Sequence, residues 1–210
     1  MKSNGYEDFR GTWRTKRSAQ SYRDRRFSSS RRWRWTDRRE RLIVAQFLSS
    51  LPERALVLDI PCGAGRLAGP WIEANMDYVG ADVSLSMLGL AREVIPGSSL
   101  LCADAGQLPF RAGLFDAVTA VRLLHRIRDR DVRVRMLKEM ARVTHGPILV
   151  TYYLRWNIRG VQRWLRGGYP GLTLRGIMLD ACSAGLEVSR AFPLRRWTQQ
   201  EWFFVLEGPS

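Results

Sequence analysis

Three acidic residues, Asp59, Asp82 and Asp104, each close a short apolar run, and they recur at similar spacing. The first lies in Val57-Leu58-Asp59-Ile60-Pro61-Cys62-Gly63-Ala64-Gly65-Arg66-Leu67, which reads as a buried strand, a glycine turn and the start of a helix. Open α/β sheets bind ligands outside the carboxyl ends of their strands. Carboxylates at three successive strand ends therefore suit the hydroxyls and cationic groups of a nucleotide-like ligand.

Two nucleotide classes compete for the glycine turn. Gly63-Ala64-Gly65-Arg66-Leu67-Ala68 fits the GxGxxG/A dinucleotide pattern, and Asp82 follows at about the distance that pattern expects. A dinucleotide, however, sets an anionic pyrophosphate against the loop and the helix amino terminus. Asp59 would place a second negative charge nearby, which Coulomb repulsion disfavours. S-adenosylmethionine carries an ammonium and a sulfonium and has the opposite preference. The plain alternative is an Asp59 that only hydrogen-bonds the turn.

Downstream residues favour the methyl donor. Tyr78-Val79-Gly80-Ala81-Asp82-Val83-Ser84 reads as a second strand ending in an acid, with Ser84 suited to cap the next helix. A carboxylate there can accept both ribose hydroxyls. Leu100-Leu101-Cys102-Ala103-Asp104-Ala105 gives a third strand end, where Asp104 suits the adenine amino group and the Ala105 amide a ring nitrogen. Phe115-Asp116-Ala117-Val118-Thr119-Ala120-Val121 supplies a fourth strand.

On these residues the chain resembles the class I S-adenosylmethionine-dependent methyltransferases over about residues 37–207, most specifically over 56–125. The resemblance implies an α/β, Rossmann-like, mostly parallel sheet of seven strands, order 3-2-1-4-5-7-6, whose last two strands form an antiparallel hairpin. It also implies that Asp59 and the turn of Pro61, Cys62, Gly63, Ala64 and Gly65 meet the methionine end, Asp82 the ribose, and Asp104 with Ala105 the adenine. Val83, Met87, Val121 and Arg122 complete the expected cofactor-binding set. Pro61 departs from the family pattern, which more often has glycine there. Proline lacks the amide donor, and the two later glycines make the change tolerable.

The elements that position these residues follow from periodicity. A helix is expected over 37–50, with Leu42, Ile43, Phe47 and Leu48 on its apolar stripe. Helices follow over about 64–74, Ser84–Arg92 and Asp131–Val143. Ile148–Tyr153 reads as a fifth strand, Thr173–Ala184 as a helix stopped by Gly185, and Glu187–Phe192 with Trp202–Leu206 as the closing hairpin. Residues 1–36 form an arm or lid, 37–210 the cofactor-binding domain, and 154–170 a cap inserted in it.

Charge is unevenly spread. Of a formal +14, the first 40 residues supply +8, from 13 Arg or Lys against five acids, with Trp13, Tyr22, Phe27, Trp33 and Trp35 among them. Such an arm suits nucleic acid or anionic lipid, although 31 Arg against three Lys also fits a compositional bias. In the cap, Leu154, Ile158, Val161 and Leu165 share one helical face beside Arg155, Arg159, Arg163 and Arg166, with Trp156 and Trp164 at the margins. That pattern fits a cap packed on the core, a membrane-surface helix, or both.

Acid–base candidates come from topology. His125 lies just past the fourth strand, on the ligand side, and is a candidate to take a proton from an acceptor hydroxyl. A packing role beneath the cofactor is its alternative. His145 precedes the fifth strand, at the opposite edge, and is expected to be structural. Tyr152 and Tyr153 end the fifth strand, one facing acceptor and the other the core. Arg122 is also a candidate for an anionic group of the acceptor. No Asn-Pro-Pro-Tyr motif follows the fourth strand, where Val121-Arg122-Leu123-Leu124 stands, so a nucleic-acid substrate is not favoured.

Cys62, Cys102 and Cys182 lack metal-ligand spacing, and Cys62 and Cys102 read as packing residues. No apolar run reaches membrane-spanning length and no secretion signal is evident. The expectation is a cytoplasmic enzyme without a metal, peripheral docking at the inner membrane face being compatible with its charge. It would transfer a methyl group to a small-molecule or lipid-like acceptor. A non-catalytic module binding nucleic acid or protein through its arm is the alternative, and a nicotinamide-dependent oxidoreductase the less favoured one.

Overall fold

The computed structural model describes residues 31–155, 165–167, 169, 171–194 and 201–209. The expected arm, apart from its last six residues, and residues 156–164 of the cap lie outside them. The strand order is β3-β2-β1-β4-β5-β7-β6, as the resemblance implied. The chain divides into two compact units, the first ending at Ala105 and the second beginning at Gly106.

In the first unit, helix α1 (Arg31–Leu48) leads to β1 (Leu56–Asp59). The helix takes in the last six residues assigned by sequence to the arm. Its apolar stripe buries Ile43, Val44, Phe47 and Leu48, while Leu42 stays exposed. Val57 and Leu58 of β1 are fully buried, and residues of this size each contribute roughly 1.5–3 kcal/mol when removed from water. Helix α2 (Ala68–Glu73) starts four residues later than its periodicity suggests. Gly63 and Gly65 hold φ of +57° and +73°, which keeps the turn out of the helix until Ala68. Strand β2 (Asp77–Asp82) pairs in parallel with β1, placing Asp59 opposite Gly80. Helix α3 (Leu85–Val94) and strand β3 (Ser99–Cys102) follow, with β3 parallel to β2.

In the second unit, β4 (Ala117–Ala120) is buried throughout and is followed by a single 3-10 turn, Leu124–Arg126. Phe115 lies outside β4 and makes one isolated bridge to Thr144. Helix α4 (Arg130–Val143) is capped by Asp129, whose carboxylate accepts the amides of Asp131 and Val132. Strand β5 (Ile148–Tyr153) pairs in parallel with β4. Helix α5 (Leu174–Ser183) is capped by Thr173, and Gly185, at φ +74°, follows its end. Strands β6 (Glu187–Pro193) and β7 (Glu201–Glu207) form the antiparallel hairpin, with β7 beside β5. At Gly171 a side chain would put its Cβ 2.2 Å from the Tyr153 carbonyl oxygen. Glycine there lets Leu172 pair with the end of β5, its amide donating to that carbonyl at 2.8 Å.

Candidate active site

The cofactor candidates belong to the first unit and are assembled largely by main-chain geometry. Asp82, buried at the end of β2, uses both carboxylate oxygens to hold the turns. Oδ2 accepts the Gly63 amide at 3.0 Å and Oδ1 the Ser84 amide at 2.8 Å. Burial pushes its carboxyl up to about 6, against the opposing pull of the amides of Ser84, Gly63 and Val83. A further link joins the strand ends, as the Ala103 amide donates to the Asp82 carbonyl at 3.1 Å. Ser84 caps α3 as expected, its hydroxyl accepting the Met87 amide at 3.3 Å.

Asp59 is buried at the end of β1 and accepts the Tyr78 hydroxyl at 3.2 Å. The Tyr78 side chain reaches it across Gly80, where a Cβ would lie within 2.9 Å of the tyrosine oxygen. Burial, then the charge of Asp59, drives the Tyr78 phenol well above its ordinary range, so it stays a neutral donor. Cys62 is buried, and burial together with Asp59 and Asp82 pushes its thiol far up. It is a packing residue and not a nucleophile. Cys102, by contrast, is exposed.

These residues fit S-adenosylmethionine. A Cβ built on Gly63 meets nothing within 4 Å, so the turn presents open space beside an amide already oriented by Asp82. The two buried carboxylates suit a cationic, phosphate-free ligand better than a pyrophosphate. Asp104 is half-buried and Ala105 buried beyond β3, and Val83 is half-buried after β2. Pro61 follows a cis peptide bond from Ile60. Met87 packs in a buried cluster with Ala64 and Leu90, so it backs the turn from beneath.

One feature of this unit was not anticipated from sequence. Arg66, in the turn, is clamped by α1: Nη1 lies 2.6 Å from Asp37 and Nη2 lies 2.5 Å from fully buried Glu40. Arg41 also holds Asp37, at 2.8 Å. The spacing of Asp37 and Glu40, three apart on one helical face, was the available signal.

In the second unit, His125 sits in the 3-10 turn after β4, buried, with its ring stacked on Tyr153 at 4.0 Å and 19°. Tyr152 is the core-facing member of the tyrosine pair: it is fully buried and packs edge-on against Phe204. Burial raises its phenol far above the ordinary range. Val121 is buried. Arg122 takes a left-handed φ of +64°, its amide donating to the Thr151 hydroxyl at 2.7 Å. Its guanidinium pairs with buried Glu201 at 2.9 Å, so the charge expected to face an acceptor is compensated within the protein. His145 is exposed, with Nε2 3.1 Å from Asp116 and Nδ1 3.3 Å from the Gly113 carbonyl, which suits a tie across a turn. Among the described residues, no group of three His, Cys, Asp or Glu forms a metal cluster, and no helix is long and apolar enough to cross a membrane.

The sheet is that of the Rossmann-like methyltransferase fold, which a solved neighbour in fold shows with bound S-adenosylmethionine. Residues 57–146 match the family described as "Methyltransferase domain". The dinucleotide reading of the glycine turn gives way to this one.

Among similar proteins, a tRNA (carboxymethyluridine(34)-5-O)-methyltransferase of Xenopus tropicalis is 28% identical over 170 residues, covering 80% of this chain and 25% of the relative. A demethylmenaquinone methyltransferase of Renibacterium salmoninarum is 35% identical over 118 residues, covering 55% of this chain and 48% of the relative. The chain thus spans a quarter of the first and about half of the second. In fold it is similar to magnesium protoporphyrin IX methyltransferase of Synechocystis PCC 6803 with bound S-adenosylhomocysteine. That match has a TM-score of 0.77 at 16% identity and covers 97% of this chain and 100% of the other.

Proposed function

We propose that the protein transfers the methyl group of S-adenosylmethionine to a small-molecule or lipid-like acceptor that has a flat ring and an ionisable hydroxyl. The observation that carries this reading is the His125–Tyr153 stack beyond β4 and β5. Tyr153 is its half-buried member and is suited to stack against an acceptor ring. His125 then accepts the hydroxyl proton. The bound cofactor supplies an activated methyl group on sulfur. The work left to the chain is alignment and removal of that proton.

Asp59 and Asp82 are assigned the cationic methionine end and the ribose hydroxyls. Because the Arg122–Glu201 pair is internally balanced, the reading needs no anion beside that pair. A relative named for a quinone supports an acceptor of this class. Exposed Leu174, Met178 and Leu179 on α5, beside exposed Arg175, suit peripheral docking on an anionic membrane from the cytoplasmic side.

RNA is the second reading, favoured by the relatives named for tRNA and by the formal charge of +14. The two separate when methyl-labelled cofactor is incubated with the protein and whole-cell extract. Label extracted into organic solvent supports the small-molecule or lipid-like acceptor. Label in ribonuclease-sensitive material replaces it with RNA.

A further inference from the structure

The glycine turn is fastened on two sides by different means. On one side Asp82 accepts the Gly63 amide at 3.0 Å. On the other stands Arg66, directly after Gly65 with its φ of +73° and ahead of the first residue of α2, Ala68. The side chain of Arg66 anchors this stretch to α1. Its guanidinium forks onto two carboxylates of one helical face, with Nη1 2.6 Å from Asp37 and Nη2 2.5 Å from fully buried Glu40. Arg41 holds the other oxygen of Asp37 at 2.8 Å. Helix α1 also comes close to α2 at Gly69, where a Cβ would lie 2.9 Å from an Arg41 nitrogen. Two guanidinium groups and two carboxylates make a balanced set, so the clamp acts on the turn by position and not by net charge.

The two halves of α1 differ in what holds them. Ile43, Val44, Phe47 and Leu48 bury the carboxyl-terminal half in the core. Among the described side chains of residues 31–40, Thr36 and Glu40 are the buried ones. The amino-terminal half therefore docks chiefly through the clamp. Because Glu40 is buried, removal of Arg66 leaves a carboxylate out of water with less to compensate it.

We propose that Arg66 is a positioning residue for the methyl donor, linking the docking of the amino-terminal half of α1 to the shape of the cofactor turn. The inference rests on the reading of that turn as the S-adenosylmethionine site and is independent of the acceptor. Such linkage is reciprocal: if docking of α1 strengthens cofactor binding, bound cofactor strengthens docking by the same factor. An amide that exchanges through local fraying responds to a ligand only when that opening also weakens the ligand's site.

Hydrogen exchange over residues 31–41 of the full chain, with and without saturating S-adenosylhomocysteine, reads the link. In the native chain the ligand should slow exchange there about fivefold or more. Calorimetry well below each thermal midpoint reads the same link from the ligand's side. Arg66→Ala and Asp37→Asn/Glu40→Gln should each weaken S-adenosylhomocysteine binding about tenfold. Their combination should be no weaker than either, since both break one clamp. Arg66→Lys keeps a charge beside Glu40, and so the fold, but a point charge does not span both carboxylates, and an intermediate loss is expected. Should the alanine variant not fold, the lysine variant and the native exchange decide. A lowered thermal midpoint with unchanged ligand affinity would make the clamp a structural tie and overturn the proposal. Losses that multiply in the combination would also overturn it, as would native exchange over 31–41 that ignores the ligand. Failure of the native chain to bind S-adenosylhomocysteine removes the cofactor reading itself, whereas binding without the link removes this inference alone.

Discussion

The carboxyl ends of β1 to β3 and those of β4 and β5 are built by different means. At the first, the backbone does most of the work: two left-handed glycines shape the turn, and Asp82 fixes it through two amides 19 residues away and two residues away. At the second, side chains from distant segments pair with each other, as in Arg122 with Glu201 and Arg133 with Asp180. A turn held by main-chain groups presents the same donors whatever side chains surround it, and so suits a constant cofactor. A site held by long-range ion pairs changes with a few substitutions, and so suits an acceptor that differs between relatives.

The contrast can be broken most forcefully in the second unit. Asp180→Ala leaves the buried Arg133 charge without its carboxylate, and the expected loss of unfolding free energy is about 3–5 kcal/mol in denaturant titration. A loss below about 1 kcal/mol would mean that the pair is not structural.

In the first unit, the largest effect expected is on pH dependence. The Asp82 carboxyl titrates near 6 in the folded protein against 3.8 ordinarily, so the folded state holds its proton more tightly than the unfolded chain. Its contribution to stability is therefore most favourable below about pH 4 and declines as pH rises through 6, by on the order of 3 kcal/mol. On the proposed role of Asp82 as acceptor for the ribose hydroxyls, which needs the carboxylate, cofactor affinity is expected to run the other way. Binding of S-adenosylhomocysteine should weaken as pH falls below about 6. Asp82→Asn should flatten the stability profile, and an unchanged slope would assign the titration elsewhere.

Smaller changes sharpen the picture. Gly65→Ala forces a Cβ into a left-handed φ of +73° and to 3.4 Å from Ala91 and Val94. A cost of about 1–3 kcal/mol is expected, read as a fall in thermal midpoint. Tyr78→Phe removes the hydroxyl that donates to Asp59, and about 1 kcal/mol should be lost from cofactor affinity. No loss there would make Tyr78 a packing residue against Trp71, whose ring centre lies 5.4 Å away.

What was legible in the sequence follows the same division. The acids at or just beyond the first three strand ends and the Ser84 cap come from local pattern, visible one segment at a time, whereas the strand order and the antiparallel closing pair came only from the resemblance to a family. The start of α2 was displaced because helical periodicity does not register the left-handed glycines before Ala68. Arg122 was expected to face an anion, since nothing local tells that Glu201, 79 residues on, will meet it. The choice between Tyr152 and Tyr153 needed the strand's orientation, and the Arg66 clamp needed the packing of α1. The Arg133–Asp180 cluster joins two helices whose separation in sequence conceals it.

The most direct test concerns Asp82, on which the cofactor assignment turns. Calorimetric titration of S-adenosylhomocysteine and of NAD into the native protein and Asp82→Ala at pH 7.5 compares the rival ligands on one carboxylate. The native protein should bind S-adenosylhomocysteine and not NAD, and the variant should lose about a hundredfold or more in affinity, the value of two hydrogen bonds to a charged group. Unchanged S-adenosylhomocysteine affinity in the variant, or binding of NAD in its place by the native protein, would contradict the assignment.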